Sequence, residues 1–250
     1  MGFTGGWCRG VVAALSDTLS VLASRAMRST WDALASAPEV YVGKAARGKQ
    51  ELDDLFGRLG ADPRGGVCLE VGCGGGRMTP HLAERFDRVL GLDVSPAMIE
   101  RASAAIAGHP NVELRASSGE RLDGVEDASV DVLVCYLVLQ HLPRRALVLS
   151  YLAEFARVLT QSGEAFVQLP VLDPTRRARG WRALAGLAVP VVELISREAS
   201  RSAAFRGSRL TERELTKGLA RAGLRVVRRV EGPDAPYRYS RDVFLRLAAP

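Results

Sequence analysis

The run Val67-Cys-Leu-Glu-Val-Gly-Cys-Gly-Gly-Gly76 constrains this chain more than any other segment. An apolar, β-prone stretch, Val67 to Val71, meets three glycines at alternate positions, Gly72, Gly74 and Gly76. A helix-compatible segment follows over Arg77 to Phe86, and a second apolar run, Val89 to Leu92, ends on Asp93. The order predicts strand, tight turn, helix and a second strand with a carboxylate at its C-terminal end. Glycine takes positive φ without penalty and lets a ligand approach the backbone closely. The first N–H groups of a helix have no intrahelical partner. An acid about 20 residues beyond a glycine fingerprint is placed for ribose hydroxyls. Together these features predict a nucleoside-containing ligand at the C-terminal edge of a parallel sheet.

The dinucleotide fingerprint G-x-G-x-x-G fails at its third position, which is Arg77. The pattern present is Glu70-x-Gly72-x-Gly74-x-Gly76, with an acid two residues ahead of the first glycine. A carboxylate there would repel a pyrophosphate and suits a cationic ligand. S-adenosylmethionine has a sulfonium, an α-ammonium and a ribose for Asp93.

On these residues the chain resembles the class I S-adenosylmethionine-dependent methyltransferases, in particular the small-molecule (methyltransferase type 11/12-like) group. Glu70 to Gly76 resembles the family's first motif and Gly91-Leu-Asp-Val-Ser-Pro-Ala-Met98 its second. Ser129 to Cys135 resembles the fourth strand, Leu139-Gln-His-Leu142 the segment after it, and Arg157 to Phe166 the entry to the fifth strand. The likeness is specific over roughly residues 65 to 170, and only topological over 210 to 250. It implies a cofactor site of Glu70, Gly72, Cys73, Gly74, Gly76, Asp93, Val94, Met98, Ser118, Gly119, Glu120 and Tyr136, with S-adenosylhomocysteine as product. Ser118 stands where the family often has an adenine-binding Asp, so the partner expected there is neutral and weaker.

Alternating elements continue along the chain. Pro96 to Ile106 reads as a helix with Pro near its first turn. Val112 to Ala116 and the nearly all-apolar Val130 to Tyr136 read as strands, the latter as a doubly covered parallel strand should. A helix over Arg144 to Leu159 and a strand over Glu164 to Leu169 come next. Thr211 and Glu214 make a capping box for a helix ending at Gly223, and Leu224 to Val230 and Val243 to Leu247 read as the last strands. The repeating units predict an α/β fold with a parallel, doubly wound sheet and an N-terminal helical cap, and the resemblance implies the Rossmann-like seven-stranded form, mostly parallel with an antiparallel last strand. The expected division is a cap over 1–60 and a cofactor-binding domain over 61–250 with a substrate-specific insertion at about 171–209. The cap's helices are read from Val11, Val12, Leu15, Leu19 and Leu22, from the start at Ser29 to Asp32, and from Glu51 to Leu59.

Net charge is +6, and residues 171–250 hold 17 Arg/Lys against 8 Asp/Glu. A basic C-terminal part can attract an acidic substrate, an anionic membrane surface or nucleic acid. The arginine-for-lysine skew, with only Lys44, Lys49 and Lys217, equally fits a compositional bias. Cys8, Cys68, Cys73 and Cys135 show no C-x-x-C spacing, so no metal site is expected. A reduced, cytoplasmic setting fits such cysteines. The first residues do not read as a secretory signal, and no run reaches the roughly 20 apolar residues of a membrane span. Peripheral membrane contact through the apolar 183–195 stretch is the less favoured reading, and the oligomeric state is not legible.

For the chemistry, the resemblance implies methyl transfer to a small molecule, with lipid-like and polyketide-like bodies both in keeping with the apolar insertion. The alternative is a non-methylating family member that binds the cofactor and catalyses a cyclisation or rearrangement, or serves as a binding module. His141, after the fourth strand, is the candidate general base, with local fixing of its loop as the rival role. Trp31, Tyr41, Gln140 and Trp181 are the candidate substrate-binding residues, with Tyr136 and Gln140 beside the expected methyl position. Nucleic acid is disfavoured as a partner. Cys135-Tyr-Leu-Val138 lacks the Asn/Asp-Pro-Pro-aromatic tetrapeptide of base-modifying enzymes, and 6% aromatic content leaves few stacking platforms.

Overall fold

The computed structural model describes residues 25–36, 47–172, 207–234 and 240–250. Tyr41, Trp181, the 11–22 helical pattern and most of the 171–209 insertion lie outside the described residues. The elements, in order, are α1 (25–34), α2 (Gly48–Arg58), β1 (Val67–Val71), α3 (Thr79–Ala83), β2 (Arg88–Asp93), α4 (Pro96–Ala105) and β3 (Val112–Ala116). There follow β4 (Val130–Cys135), a 3-10 turn (Leu139–His141), α5 (Arg145–Val158), β5 (Leu159–Leu172), α6 (Glu212–Ala222), β6 (Arg225–Asp234) and β7 (Ser240–Ala248).

The seven strands form one sheet in the order β3-β2-β1-β4-β5-β7-β6. β1 to β5 are parallel, and β7 runs antiparallel between β5 and β6. This is the doubly wound, mostly parallel sheet with an antiparallel last strand that the sequence predicts. The strand order reverses at β1, so the C-terminal ends of β1, β2 and β4 open a crevice there.

Alternation within each strand feeds two cores. Leu69, Val71, Leu133 and Cys135 join Leu152 and Phe155 of α5 in one layer, while Cys68, Val132 and Val134 join Leu52, Leu55 and Phe56 of α2 in the other. The polar member of β4, Asp131, sits at its start and accepts the Val67 N–H at 2.9 Å and the Thr160 hydroxyl at 3.2 Å.

Several elements depart from the sequence reading, among them α1, which is already helical at residue 25, so that Ser29 to Asp32 is its interior and not its start. The helix after the glycines is Thr79–Ala83, not Arg77 to Phe86, because the turn runs on through Met78 and Pro80 is tolerated only in a first turn. α2 starts at Gly48, before the predicted Glu51. β5 runs to Leu172, past the predicted Leu169, because β7 pairs with it as far as Leu172↔Ser240. Among the described residues no helix is long and apolar enough to cross a membrane.

α6 has the predicted capping box: Thr211 Oγ1 accepts the Glu214 N–H, and Glu214 Oε2 accepts the Thr211 N–H at 2.8 Å. Gly223 closes the helix in the left-handed conformation at φ 76°. Thr211→Ala is expected to lower stability by about 1 kcal/mol, read as a shift in the urea midpoint with an unchanged slope.

Candidate active site

The site is built where β1 hands over to the glycine loop. Gly72, Gly74 and Gly76 have φ of 73°, 54° and 79°, a left-handed backbone that other residues adopt only with strain. This conformation aims successive N–H groups at the end of β2. The Gly72 and Cys73 N–H groups donate to the Leu92 carbonyl at 2.7 and 3.0 Å, and the Gly74 N–H donates to Asp93 Oδ2 at 2.9 Å. A Cβ on Gly72 would collide with Val138, one on Gly76 would press Ala102 of α4 at 3.1 Å, and one on Gly74 would project into open space. The loop is thus packed shut on two sides and open on the third.

Two acids flank that opening. Glu70 is buried, and its Oε2 accepts the Thr79 hydroxyl at 2.6 Å. Burial is the main cause that pushes its pKa up to about 8, with the charge of Asp93 adding to the shift and the Thr79 hydrogen bond opposing it. Asp93 is also raised by burial, against the backbone N–H groups of Ser95, Gly74 and Val94. Both of its oxygens are engaged, Oδ1 by the Ser95 N–H at 2.9 Å and Oδ2 by that of Gly74, so its orientation is preset. Arg77 closes the loop and pairs with Glu51 of α2.

α1 forms a second wall, and Met27 and Trp31 reach the cleft from it. It is held by Asp32 Oδ1, which accepts the Ser95 hydroxyl at 2.5 Å, and by Arg28, which donates to the Ser117 carbonyl at 3.1 Å. The Trp31 and His141 rings meet edge to face at 5.1 Å. Behind His141, the Gln140 amide nitrogen lies 3.1 Å from its Nε2. Gly207, where the described residues resume, lies so close to Gln140 and His141 that a Cβ would strike their backbone. Ser208 donates to the Leu142 carbonyl at 2.6 Å.

Residues 69–167 match the family model described as a methyltransferase domain. A ubiquinone biosynthesis O-methyltransferase of Xanthomonas oryzae is 28% identical over 152 residues, covering 60% of this chain and 58% of that protein. Residues 69–167 form a class I S-adenosylmethionine-dependent methyltransferase domain. The first curated relatives are matched over 39% and 58% of their own length. Among solved structures, a S-adenosylmethionine-dependent methyltransferase of Leishmania major superposes with a TM-score of 0.63 at 15% identity, covering 90% of this chain and 82% of that one. A geranyl diphosphate C-methyltransferase of Streptomyces coelicolor, solved with Mg2+, geranyl diphosphate and S-adenosylhomocysteine, superposes with a TM-score of 0.59 at 14% identity, covering 80% of this chain and 79% of that one. At those identities the two structures speak for the fold.

The residues of the methyltransferase domain fit the cofactor of its family. Glu70 and Asp93 bring two carboxyls to the cleft, of a kind that suits an ammonium and ribose hydroxyls, and Gly74 leaves open the space that a side chain would fill. Of the predicted cofactor residues, Glu70, Gly72, Cys73, Gly74, Asp93, Val94, Met98, Gly119 and Tyr136 line the cleft. So do His141 and Trp31. Gly76 instead packs on α4. Ser118 is turned outward: its N–H and hydroxyl both donate to Asp123 Oδ2, at 2.8 and 2.5 Å, and Ser117 lines the cleft in its place. Glu120 follows it, its N–H donating to Ser118 Oγ at 3.2 Å, and does not reach the cleft. Gln140 is buried behind His141, because the 3-10 turn puts the two on different sides. The sequence reading passed over Met27, Ser117, Leu122, Leu137, Tyr151 and Arg77 as lining residues. Ser117 was within reach, since a one-residue shift in a strand-to-loop exit reverses the side. Tyr151, seven residues past the predicted helix start at Arg144 and in its apolar stripe, carried no signal other than that of the core.

The raised Glu70 pKa has a stability consequence. The folded value, about 8, lies above the unfolded carboxyl value near 4.3. The contribution is therefore full below about pH 4.3 and is lost as pH rises towards 8. In the ligand-free protein Glu70→Gln is expected to remove that part of the decline between pH 5 and pH 8.5 in urea unfolding. An equal decline in wild type and variant would show that Glu70 is already ionised.

Proposed function

We propose that this chain transfers a methyl group from S-adenosylmethionine to a small molecule with an apolar, lipid-like or polyketide-like body. The observation that carries the reading is the pair Glu70 and Asp93, two carboxyls around one glycine loop, buried enough to favour a cationic nucleoside over a dinucleotide. The match of residues 69–167 to methyltransferase domains supports the same reaction. The substrate class is supported by the acceptor side of the cleft, where Met27, Trp31, Leu142 and Tyr151 present mostly apolar surface.

S-adenosylmethionine supplies an activated methyl group, so this chain's residues are left mainly with positioning and water exclusion. The Glu70 carboxylate would hold the α-ammonium, and the remaining lone pairs of Asp93 would accept the ribose hydroxyls. Tyr136, Leu137 and Val138 wall the reacting end, and Trp31 keeps water from above. His141, bounded by Trp31 and Gln140, is the group on this wall that can take a proton from an attacking hydroxyl. The cap over 1–60 and the insertion at 171–209 would select the acceptor. In support, the insertion leaves at the end of β5 and returns at Gly207 against His141, with the Leu172 N–H closing its neck onto the Leu210 carbonyl at 2.9 Å.

Two measurements test this. Incubation with methyl-labelled S-adenosylmethionine and a panel of phenols, quinols and hydroxylated lipids is expected to move label into an extractable small molecule. His141→Asn is expected to lower that rate by roughly a hundredfold. Tight cofactor binding with no label leaving it, for any acceptor or cell extract, would overturn methyl transfer in favour of a cyclisation, rearrangement or binding role. Second, a cation bound beside Glu70 favours its ionised form. Calorimetry of cofactor binding at pH 7 in buffers of differing ionisation enthalpy is therefore expected to show proton release, which is absent in Glu70→Gln.

A further inference from the structure

The position of one buried amide in the sheet is unexplained by packing. β5 is apolar around Gln168, with Phe166, Val167, Leu169 and Val171 all buried, yet Gln168 is itself only 1% exposed. A buried amide is tolerated only when both of its ends are satisfied. Here they are satisfied in opposite directions. Gln168 Nε2 donates to Asp242 Oδ1 of β7 at 2.7 Å, and Gln168 Oε1 accepts the Leu137 N–H at 3.1 Å. An ionised carboxylate can only accept, so Asp242 dictates which end of the amide faces it. The carbonyl end is thereby aimed at Leu137.

Leu137 needs that support. It has φ of 60°, one of two non-glycine residues among those described with positive φ. Such a conformation persists only where the surroundings hold it, and it gathers at functional sites. Its effect is to turn the chain after β4 so that Val138 lies over Gly72, where an added Cβ would meet Val138 first. Tyr136, Leu137, Val138 and Gly72 all line the cleft.

We infer that Gln168 and Asp242 are positioning residues, which hold Leu137 in its left-handed conformation and so set the wall between the glycine loop and the end of β4. Neither touches the cleft; they act through the Leu137 backbone. The inference deepens the methyl-transfer reading, because that wall borders the reacting end, but its test uses cofactor binding and needs no methyl acceptor.

The experiment compares Gln168→Met, Asp242→Ala and Asp242→Asn in the full chain. Amide exchange is read by NMR at Leu137 and Val138, with the Leu69 and Leu133 amides of the β1–β4 ladder as an internal control for global stability. S-adenosylmethionine affinity is read by calorimetry. Gln168→Met is expected to speed exchange at Leu137 roughly tenfold relative to the controls and to weaken the cofactor by a similar factor. Asp242→Ala should do the same, because the amide is then free to turn over. Asp242→Asn keeps an acceptor for Nε2 and is expected to restore both readouts. Leu137 protection and cofactor affinity at wild-type levels in Gln168→Met would overturn the inference. So would Asp242→Asn failing as badly as Asp242→Ala. If Gln168→Met does not fold, the two Asp242 variants decide alone. Absence of turnover in every variant, wild type included, would count against methyl transfer and leave these readouts standing.

Discussion

Two N–H groups of the glycine loop, those of Gly72 and Cys73, converge on the single carbonyl of Leu92, and the next residue's carboxylate takes the N–H of Gly74. Most of the site depends on this clamp. It fixes the end of β1 against the end of β2, in a register that sets Glu70 beside Gly91. Gly91 leaves room for Leu114 of β3, which a Cβ placed there would strike at 2.6 Å, and for the Cys73 side chain, whose Sγ would lie 3.3 Å away. The two acids then fall on either side of one loop, away from bulk water. Burial makes each harder to ionise, with the charge of Asp93 adding to the effect on Glu70 and that of Asp32 to the effect on Asp93.

The cleft has two ends of different construction. The glycine-loop end is made of the switch-point strands and their exits, with the Gly72, Cys73 and Gly74 N–H groups held by the end of β2. The other end is assembled from parts far apart in the chain, α1 and the 139–142 turn, with the 207–208 segment packed behind that turn. Asp32 ties α1 to the cap of α4 through Ser95, which also accepts the Met98 N–H at 3.1 Å, so one hydroxyl serves as helix cap and as anchor for the wall above the cleft. A third layer, Gln168 of β5 and Asp242 of β7, reaches the cleft through the Leu137 N–H alone.

The parts legible in the sequence are those where one residue type has one physical use. Alternate glycines after an apolar strand, an acid closing the next strand, Thr211 with Glu214, and Gly223 at a helix end each specify a backbone geometry locally. The misplaced residues are those whose side is set by neighbours. Ser118 and Ser117 are chemically the same; Asp123, five residues on, captures the first and leaves the second facing the cleft. Gln140 and His141 are adjacent, and a single 3-10 turn sends one behind the other. Gln168 reads as an ordinary strand position, because its partners stand 31 and 74 residues away.

The sequence by itself determined the alternation of strands and helices, the glycine loop and the acid that follows it, because periodicity, glycine and capping act over a few residues. Only the tertiary structure decided which side chains enclose the cleft, how strongly Glu70 resists ionisation and what holds Leu137 in place. Those depend on burial and on partners brought together from β1, β2, β4, β5 and β7, and burial is a property of the packed sheet that no local stretch of chain possesses.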